Sequence, residues 1–230
     1  MRGNGPPPAP LRESLSRQPD KIEQCRTPRS RLRSTLPKTS SWPGFTENDR
    51  YKAEFLDGAG YEIANTSANH SQISANLVGE LIAGLRKKGC RVLAQGIFVK
   101  IPKRPGLLQP DATVVREELA YFNGRRDVIT NPRIIFEILS PSTSGRDFET
   151  KCEAYQQIES LQAYILIYQD SPKAAIFTRA ANESWLLKRY TGLDATFPIG
   201  NTGLDAALRG LYRDVVFPTF HRAKAKTRAR

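Results

Sequence analysis

Asp111, Glu137 and Lys151 are the ionisable residues whose local surroundings argue against them. Asp111 follows Pro110 at the head of the apolar run ATVV. Glu137 interrupts RIIFEIL between Phe136 and Ile138, and Lys151 opens a helical segment. A buried carboxylate or ammonium is costly unless it is paired or ligated. Tyr155 and Ile158 follow Lys151 at i+4 and i+7, which puts the lysine on the inward-facing side of its helix. If ATVV and RIIFEIL are neighbouring strands, the two carboxylates meet and the helix lays Lys151 over them. Two carboxylates and the Ile138 carbonyl are hard oxygen donors suited to Mg²⁺ or Mn²⁺. Such an ion keeps several waters, lowers the pKa of one, and offsets charge on a phosphodiester in its transition state. A lysine beside it can position or deprotonate the attacking water and stabilise the pentavalent phosphorus.

Each residue also has a plainer explanation. Asp after Pro is a common turn pair. Glu137 on an edge strand would face solvent, and Lys151 could snorkel or pair with Glu137 or Asp147. Spacing alone leaves both explanations open, because ion-pair networks perturb charged groups as active sites do. A serine hydrolase built on Ser140 or Ser142 with Lys151 fits poorly. There is no G-x-S-x-G elbow, and serines around Pro141 shape loops and cap helices. No P-loop is present. The Gly58-Ala59-Gly60 stretch lacks the third glycine and the helix that a dinucleotide site needs.

The elements that must hold these residues follow from periodicity. KAEFLDGAGYEIAN is a strand pair turning at Asp57-Gly58-Ala59-Gly60. Residues 69–88 form a helix with Ile73, Leu77, Val78, Leu81, Ile82 and Leu85 on one stripe, a basic last turn, and Gly89 as its cap. His70 lies on that stripe, where a lone histidine is usually a packed core-edge residue. CRVLAQGIFVKI breaks at Gln95-Gly96, ATVV and RIIFEIL are strands, and a helix runs from about 148 to 158 with Asp147 as its N-cap. AYILIYQ, KAAIFTR and SWLLKRY add three strands. The order β-β-α-β-β-β-α-β-β-β is an α/β or α+β domain, a mixed central sheet with helices packed on it and a hairpin at its N-terminal end.

The net charge of +12 is unevenly placed. Residues 1–45 carry +6 and residues 221–230 carry +5, which leaves +1 for everything between. The basicity therefore belongs to a Pro/Ser/Arg-rich arm over 1–45, expected to be disordered, and to a C-terminal tail; the folded domain spans 46–220. Such tails suit loose attraction to nucleic acid more than a charged face on the fold. Cys25, Cys90 and Cys152 are widely spaced and odd in number, which argues against a disulfide framework and fits a reducing compartment. Only His70 and His221 are available, so a multi-histidine metal centre is excluded. No apolar run reaches membrane-spanning length and no apolar leader core follows Met1, so the expected setting is cytoplasmic.

The combination QPDATVV, then NPRIIFEILSPSTSGRDFETK, then WLLKRYTG closely resembles the Uma-two family of restriction-endonuclease-like proteins, within the PD-(D/E)XK nuclease superfamily. The likeness runs from about Tyr51 to Phe217. It implies a restriction-endonuclease-like core, a Mg²⁺-dependent endonuclease acting on DNA, Asp111 and Glu137 as metal ligands, and Lys151 as the site lysine. In the superfamily that lysine normally lies two residues after the glutamate, where this chain has Leu139; in this family it comes from the following helix. KAEFLDG resembles the family's early hairpin, which implies Glu54 as a supporting acid. His70 matches a histidine at the start of the family's first long helix. The chain departs from the pattern at Ala59, where the family reads Glu after Gly58, and at Gly96, where it often has Asp. The competing expectation is a non-catalytic nucleic-acid-binding or assembly module with a vestigial site. Nucleases of this chemistry that cut both strands usually need two sites, so a homodimer is among the expectations.

Overall fold

The computed structural model describes residues 23–24, 53–63, 66–140, 145 and 147–217. The expected basic arm, apart from Glu23–Gln24, and the expected tail over 221–230 lie outside the described residues. The chain begins with β1 (Glu23–Gln24), a hairpin of β2 (Ala53–Leu56) and β3 (Ala59–Glu62), and helix α1 (Ala68–Leu85). Strands β4 (Arg91–Ala94), β5 (Phe98–Lys100), β6 (Gly106–Leu108), β7 (Ala112–Val115), β8 (Tyr121–Phe122), β9 (Arg125–Ile129) and β10 (Ile134–Leu139) follow. A π-helical turn (Asp147–Lys151) then runs directly into α2 (Cys152–Gln156). The remainder is β11 (Ala163–Tyr168), β12 (Lys173–Arg179), β13 (Trp185–Thr191), β14 (Thr196–Pro198), β15 (Asp205–Ala207) and α3 (Leu208–Leu211).

Two mixed sheets result. The larger has the order β1-β13-β12-β11-β10-β7-β4, with β10 and β11 parallel and the other pairs antiparallel. The smaller has the order β3-β2-β6-β5-β9-β8, with β5 and β9 parallel. The parallel pair is central because IIFEIL and AYILIY are apolar on both faces and must be covered on both. One face receives α1: Ile73, Leu77, Leu81 and Leu85 pack on Val114, Ile134, Phe136, Ile138 and Ile165. The other face receives α2 and the smaller sheet: Tyr155, Ile158, Val99 and Leu108 pack with Ile135, Leu139, Tyr164 and Leu166. Each fully buried side chain of this kind contributes about 1.5–3 kcal/mol. Strand alternation puts Glu137 on this second face, between Ile135 and Leu139.

The α+β architecture, the mixed central sheet and the N-terminal hairpin agree with the sequence. The hairpin turns at Asp57 and Gly58, both left-handed (φ 53° and 87°), the pairing that favours Asp-Gly. Gly89 is left-handed (φ 70°) after a 3₁₀ turn over Arg86–Lys88 that ends α1. Ile82, expected on the core stripe, is 43% exposed, because the buried arc of α1 is only as wide as its i, i+4 row. Strands β1, β6, β8, β9, β14 and β15 were not expected, β1 lying in the arm expected to be disordered; each is five residues or shorter, too short for alternation to register. Asp147 is not the expected helix N-cap. It lies inside the π-helical turn, with its carboxylate drawn inward toward Lys151.

Candidate active site

The register of β7 on β10 runs Ile134↔Val114, Ile135↔Thr113, Phe136↔Ala112. Asp111 and Glu137 are the next residues along each strand, so both carboxylates arrive at the same end of the same strand pair. Asp111 N–H donates to the Phe136 carbonyl at 3.1 Å. Ile138 N–H donates to Asp111 Oδ2 at 2.7 Å, replacing the ladder bond that β7 no longer supplies. The N–H and C=O of one strand residue point to the same edge, so the Ile138 carbonyl lies beside Asp111 at the place where β7 has ended. Asp111 and Glu137 are 6% and 4% exposed.

The π-helical turn delivers the lysine. Asp147 and Lys151 both face inward from it and are buried. Lys151 Nζ lies 2.8 Å from Glu54 Oε1 and 3.0 Å from Glu137 Oε1. It lies 3.2 Å from Asp147 Oδ1 but off that oxygen's hydrogen-bonding direction, so the third contact is Coulombic. Glu54 comes from β2 in the smaller sheet and also accepts from Gln109 N–H at 3.1 Å, so the site spans the junction of the two sheets. His70, in the first turn of α1, places Nε2 3.3 Å from Asp111 Oδ2. The five residues singled out by sequence are thus brought together.

Two tyrosines complete the arrangement and were not anticipated as site residues. Tyr155 O–H donates to Glu137 Oε1 at 3.1 Å, the oxygen that also faces Lys151. Tyr164 O–H donates to the Asp147 carbonyl at 2.9 Å, fixing the π-helical turn. Their rings pack at 5.1 Å between centroids, so one aromatic pair braces both the carboxylate and the turn that carries the lysine. The signal was present for Tyr155, at i+4 from Lys151. For Tyr164 there was none, since its partner is a backbone carbonyl. Burial holds both phenols well above their ordinary pKa, with Glu137 adding to it, so they stay protonated donors.

Four acids and one lysine share this buried space. Burial pushes the Glu137 carboxyl well above the usual carboxylate range; Lys151 opposes this, while Asp147, Asp111 and Glu54 add to it. Burial alone would lower the Lys151 pKa, but Glu137, Glu54 and Asp147 outweigh it and hold the amine above the ordinary lysine value. Lys151 is therefore a cation, suited to stabilising negative charge and orienting a water. Proton abstraction by a neutral amine, one of the two roles expected from sequence, is not what this environment favours.

Among the described residues no three His, Cys, Asp or Glu side chains form a ready-made metal cage. Among the same residues no helix is long and apolar enough to cross a membrane. The family described as "Putative restriction endonuclease", Uma2, matches residues 36–207. An uncharacterized protein of Synechocystis sp. is 30% identical over 63% of this chain and 81% of that protein. A second from the same organism is 28% identical over 74% of this chain and 88% of its own length. In fold, the chain is similar to a crystal structure from Anabaena variabilis described as "a putative nuclease belonging to DUF820". That likeness has a TM-score of 0.60 at 15% identity, over 73% of this chain and 93% of the other. The match over most of its length places this chain in the Uma2 family.

Proposed function

We propose that the chain is a Mg²⁺- or Mn²⁺-dependent endonuclease that hydrolyses phosphodiester bonds of DNA. The observation that carries the reading is the meeting of Asp111 and Glu137 at one strand-pair end, with the Lys151 ammonium 3.0 Å from Glu137, in a chain of this family. The donor set fits a small hard cation. Asp111 engages its described donors through Oδ2 and Glu137 through Oε1. The second oxygen of each and the Ile138 carbonyl form a partial oxygen set, and Mg²⁺ favours such a set because it keeps several waters. A cation bound there supplies charge neutralisation and an acidified water.

The protein's own groups do the rest. Asp111, Glu137 and the Ile138 carbonyl would hold the cation. Lys151 offers positive charge to the phosphorane as negative charge builds on its oxygens. Glu54 and His70 support: Glu54 holds the ammonium from the β2 side, and His70 fixes Asp111. The domain acting in this way spans 46–220, flanked by basic segments over 1–45 and 221–230 that attract the DNA, in a cytoplasmic setting. A homodimer would present two centres to two strands.

The test is cleavage of plasmid and single-stranded DNA with Mg²⁺ or Mn²⁺, which Asp111→Ala and Glu137→Ala should each abolish. Mn²⁺ should also raise the melting temperature of the wild type and leave Asp111→Ala unchanged, a readout independent of turnover. A second reading, a non-catalytic nucleic-acid-binding or assembly module with a vestigial site, is favoured by one observation. The ammonium already sits among three carboxylates where a cation would be expected, and no ready-made metal cage is formed among the described residues. Metal binding without cleavage of any substrate would select it. Deleting residues 1–45 and 221–230 would then remove most of the salt-dependent affinity for DNA.

A further inference from the structure

A cleft of about 320 Å³ opens between α1 and the end of β4, and no role is assigned to it above. His70 forms part of its wall, and the same imidazole touches Asp111 at 3.3 Å. Ala94, also in the wall, is paired with Ala112, the residue after Asp111. The cleft therefore adjoins Asp111 by two routes, one through α1 and one through the sheet.

Its lining is polar, uncharged and partly apolar. Among the described residues no lysine or arginine lines it, so it offers nothing to a phosphate. Thr66, Ser71, Ser74 and Gln95 bring three hydroxyls and a carboxamide, and none of these side chains makes a hydrogen bond to another described residue. Free groups of this kind suit the mixed donor and acceptor edge of a nucleobase. Ala75, Val78 and Ala94 give small apolar surface, and the His70 ring is the one aromatic face available for stacking. The volume is near the lower end of the ~300–1,000 Å³ of small-ligand sites.

We propose that this cleft receives an unpaired base of the strand being cut, so that the substrate class is nucleic acid with an unpaired nucleotide beside the scissile phosphate. The inference rests on the nuclease reading and narrows it. In a paired duplex the base edge and both base faces are already occupied, and extruding a base costs free energy that a single strand, flap or bulge does not spend.

The experiment compares Mn²⁺-dependent cleavage by the full chain of three labelled substrates of one sequence: single-stranded, fully paired, and paired with one unpaired base. Ala75→Trp fills the cleft from an exposed helix position, and Gln95→Ala removes the carboxamide without adding bulk. In parallel, fluorescence anisotropy measures binding of the single-stranded and paired oligonucleotides to Asp111→Asn, alone and with Ala75→Trp. The expected result is cleavage of the substrates with an unpaired base about tenfold faster than the paired one. Ala75→Trp should remove about tenfold of kcat/KM and of affinity on those substrates only, and Gln95→Ala a few-fold. Equal cleavage of paired and unpaired substrates overturns the inference. So do single-strand cleavage and binding that neither substitution changes in folded protein. Absence of cleavage on every substrate would sink the nuclease reading instead. The anisotropy comparison would then judge the cleft alone, with equal affinity for single-stranded and paired DNA against it.

Discussion

Asp111 and Glu137 stand at the same end of the same strand pair, yet different forces hold them. Asp111 is tied to the main chain: its N–H reaches the Phe136 carbonyl, its Oδ2 takes the Ile138 N–H, and His70 closes on that oxygen. The main chain of Glu137 is paired in the ladder beside Leu166, but among the described residues its carboxylate takes no backbone N–H. It is held by Lys151 and Tyr155, both delivered by the segment that begins with the π-helical turn. Strand register places both residues; the Asp111 carboxylate is then fixed by a backbone N–H, the Glu137 carboxylate by charge and a phenol. Backbone hydrogen bonds fix a position whatever the ionic state, whereas an ion-pair cluster rearranges when one charge enters or leaves. The Asp111 half is thus a fixed anchor, and the Glu137–Lys151 half is the part free to rearrange when a charge enters or leaves.

The sharpest way to break this contrast is to remove the ammonium. Lys151→Met leaves Glu54, Glu137 and Asp147 buried without their shared cation. Breaking a buried ion pair from one side costs about 3–5 kcal/mol. A shift of 1 kcal/mol moves Tm by about 2–4 °C in a chain of this size, so the loss should approach 10 °C or more in thermal denaturation. Asp111→Asn keeps one side-chain oxygen, Oδ1, as an acceptor for Ile138 N–H and should stay within about 1 kcal/mol of wild type by the same measurement. Equal losses from the two would erase the distinction between a backbone-held and a charge-held half.

Glu137→Gln tests the charge-held half in the opposite direction. A carboxyl whose folded pKa is raised stabilises the fold while it is protonated, below its unfolded value near 4.5, and that contribution fades as pH climbs through the folded value. Burial is the first cause, so in metal-free protein a neutral glutamine should be better tolerated than the ionised glutamate. Glu137→Gln should match the wild type near pH 4.5 and exceed it by about 1–2 kcal/mol near pH 8, with DNA cleavage lost. Melting curves in EDTA across that range would check it, and a gap that narrows toward alkaline pH would contradict the assignment of Glu137 as the strained group.

How much of this was legible in the sequence follows the same division. The strand positions of Asp111 and Glu137 could be found because a carboxylate among Ile, Phe and Leu is conspicuous, and RIIFEIL and ATVV are strong strand signals. Lys151 could be found because helical spacing set it inward with Tyr155. Glu54 and His70 came only from resemblance. Their partners lie across the junction of the two sheets and across the helix–sheet contact, and such distances leave no local pattern. Asp147 was misjudged as a cap because Asp before a helical run usually is one. The π-helical turn that redirects its side chain depends on tertiary packing, including the bond from Tyr164 to its carbonyl. Short strands such as β6 and β8 were invisible for the same reason, since they are strands only by virtue of their neighbours.

Tyr155→Phe is the mildest of these tests and isolates the brace from the charges. The phenylalanine keeps the ring against Tyr164 and removes only the O–H that donates to Glu137 Oε1. A hydrogen bond to a charged acceptor contributes about 1.5–3 kcal/mol, but Glu137 keeps its Lys151 contact, so the stability loss should sit near 1 kcal/mol. Its larger consequence falls on orientation. With one of two restraints gone, the carboxylate is free to turn toward the ammonium, and its second oxygen moves with it. Mn²⁺ binding measured by calorimetry should therefore weaken several-fold more in Tyr155→Phe than in Tyr164→Phe, whose hydroxyl holds only the turn. If both variants weakened binding equally, the brace would act on the turn as a whole, and Glu137 would be positioned by charge alone.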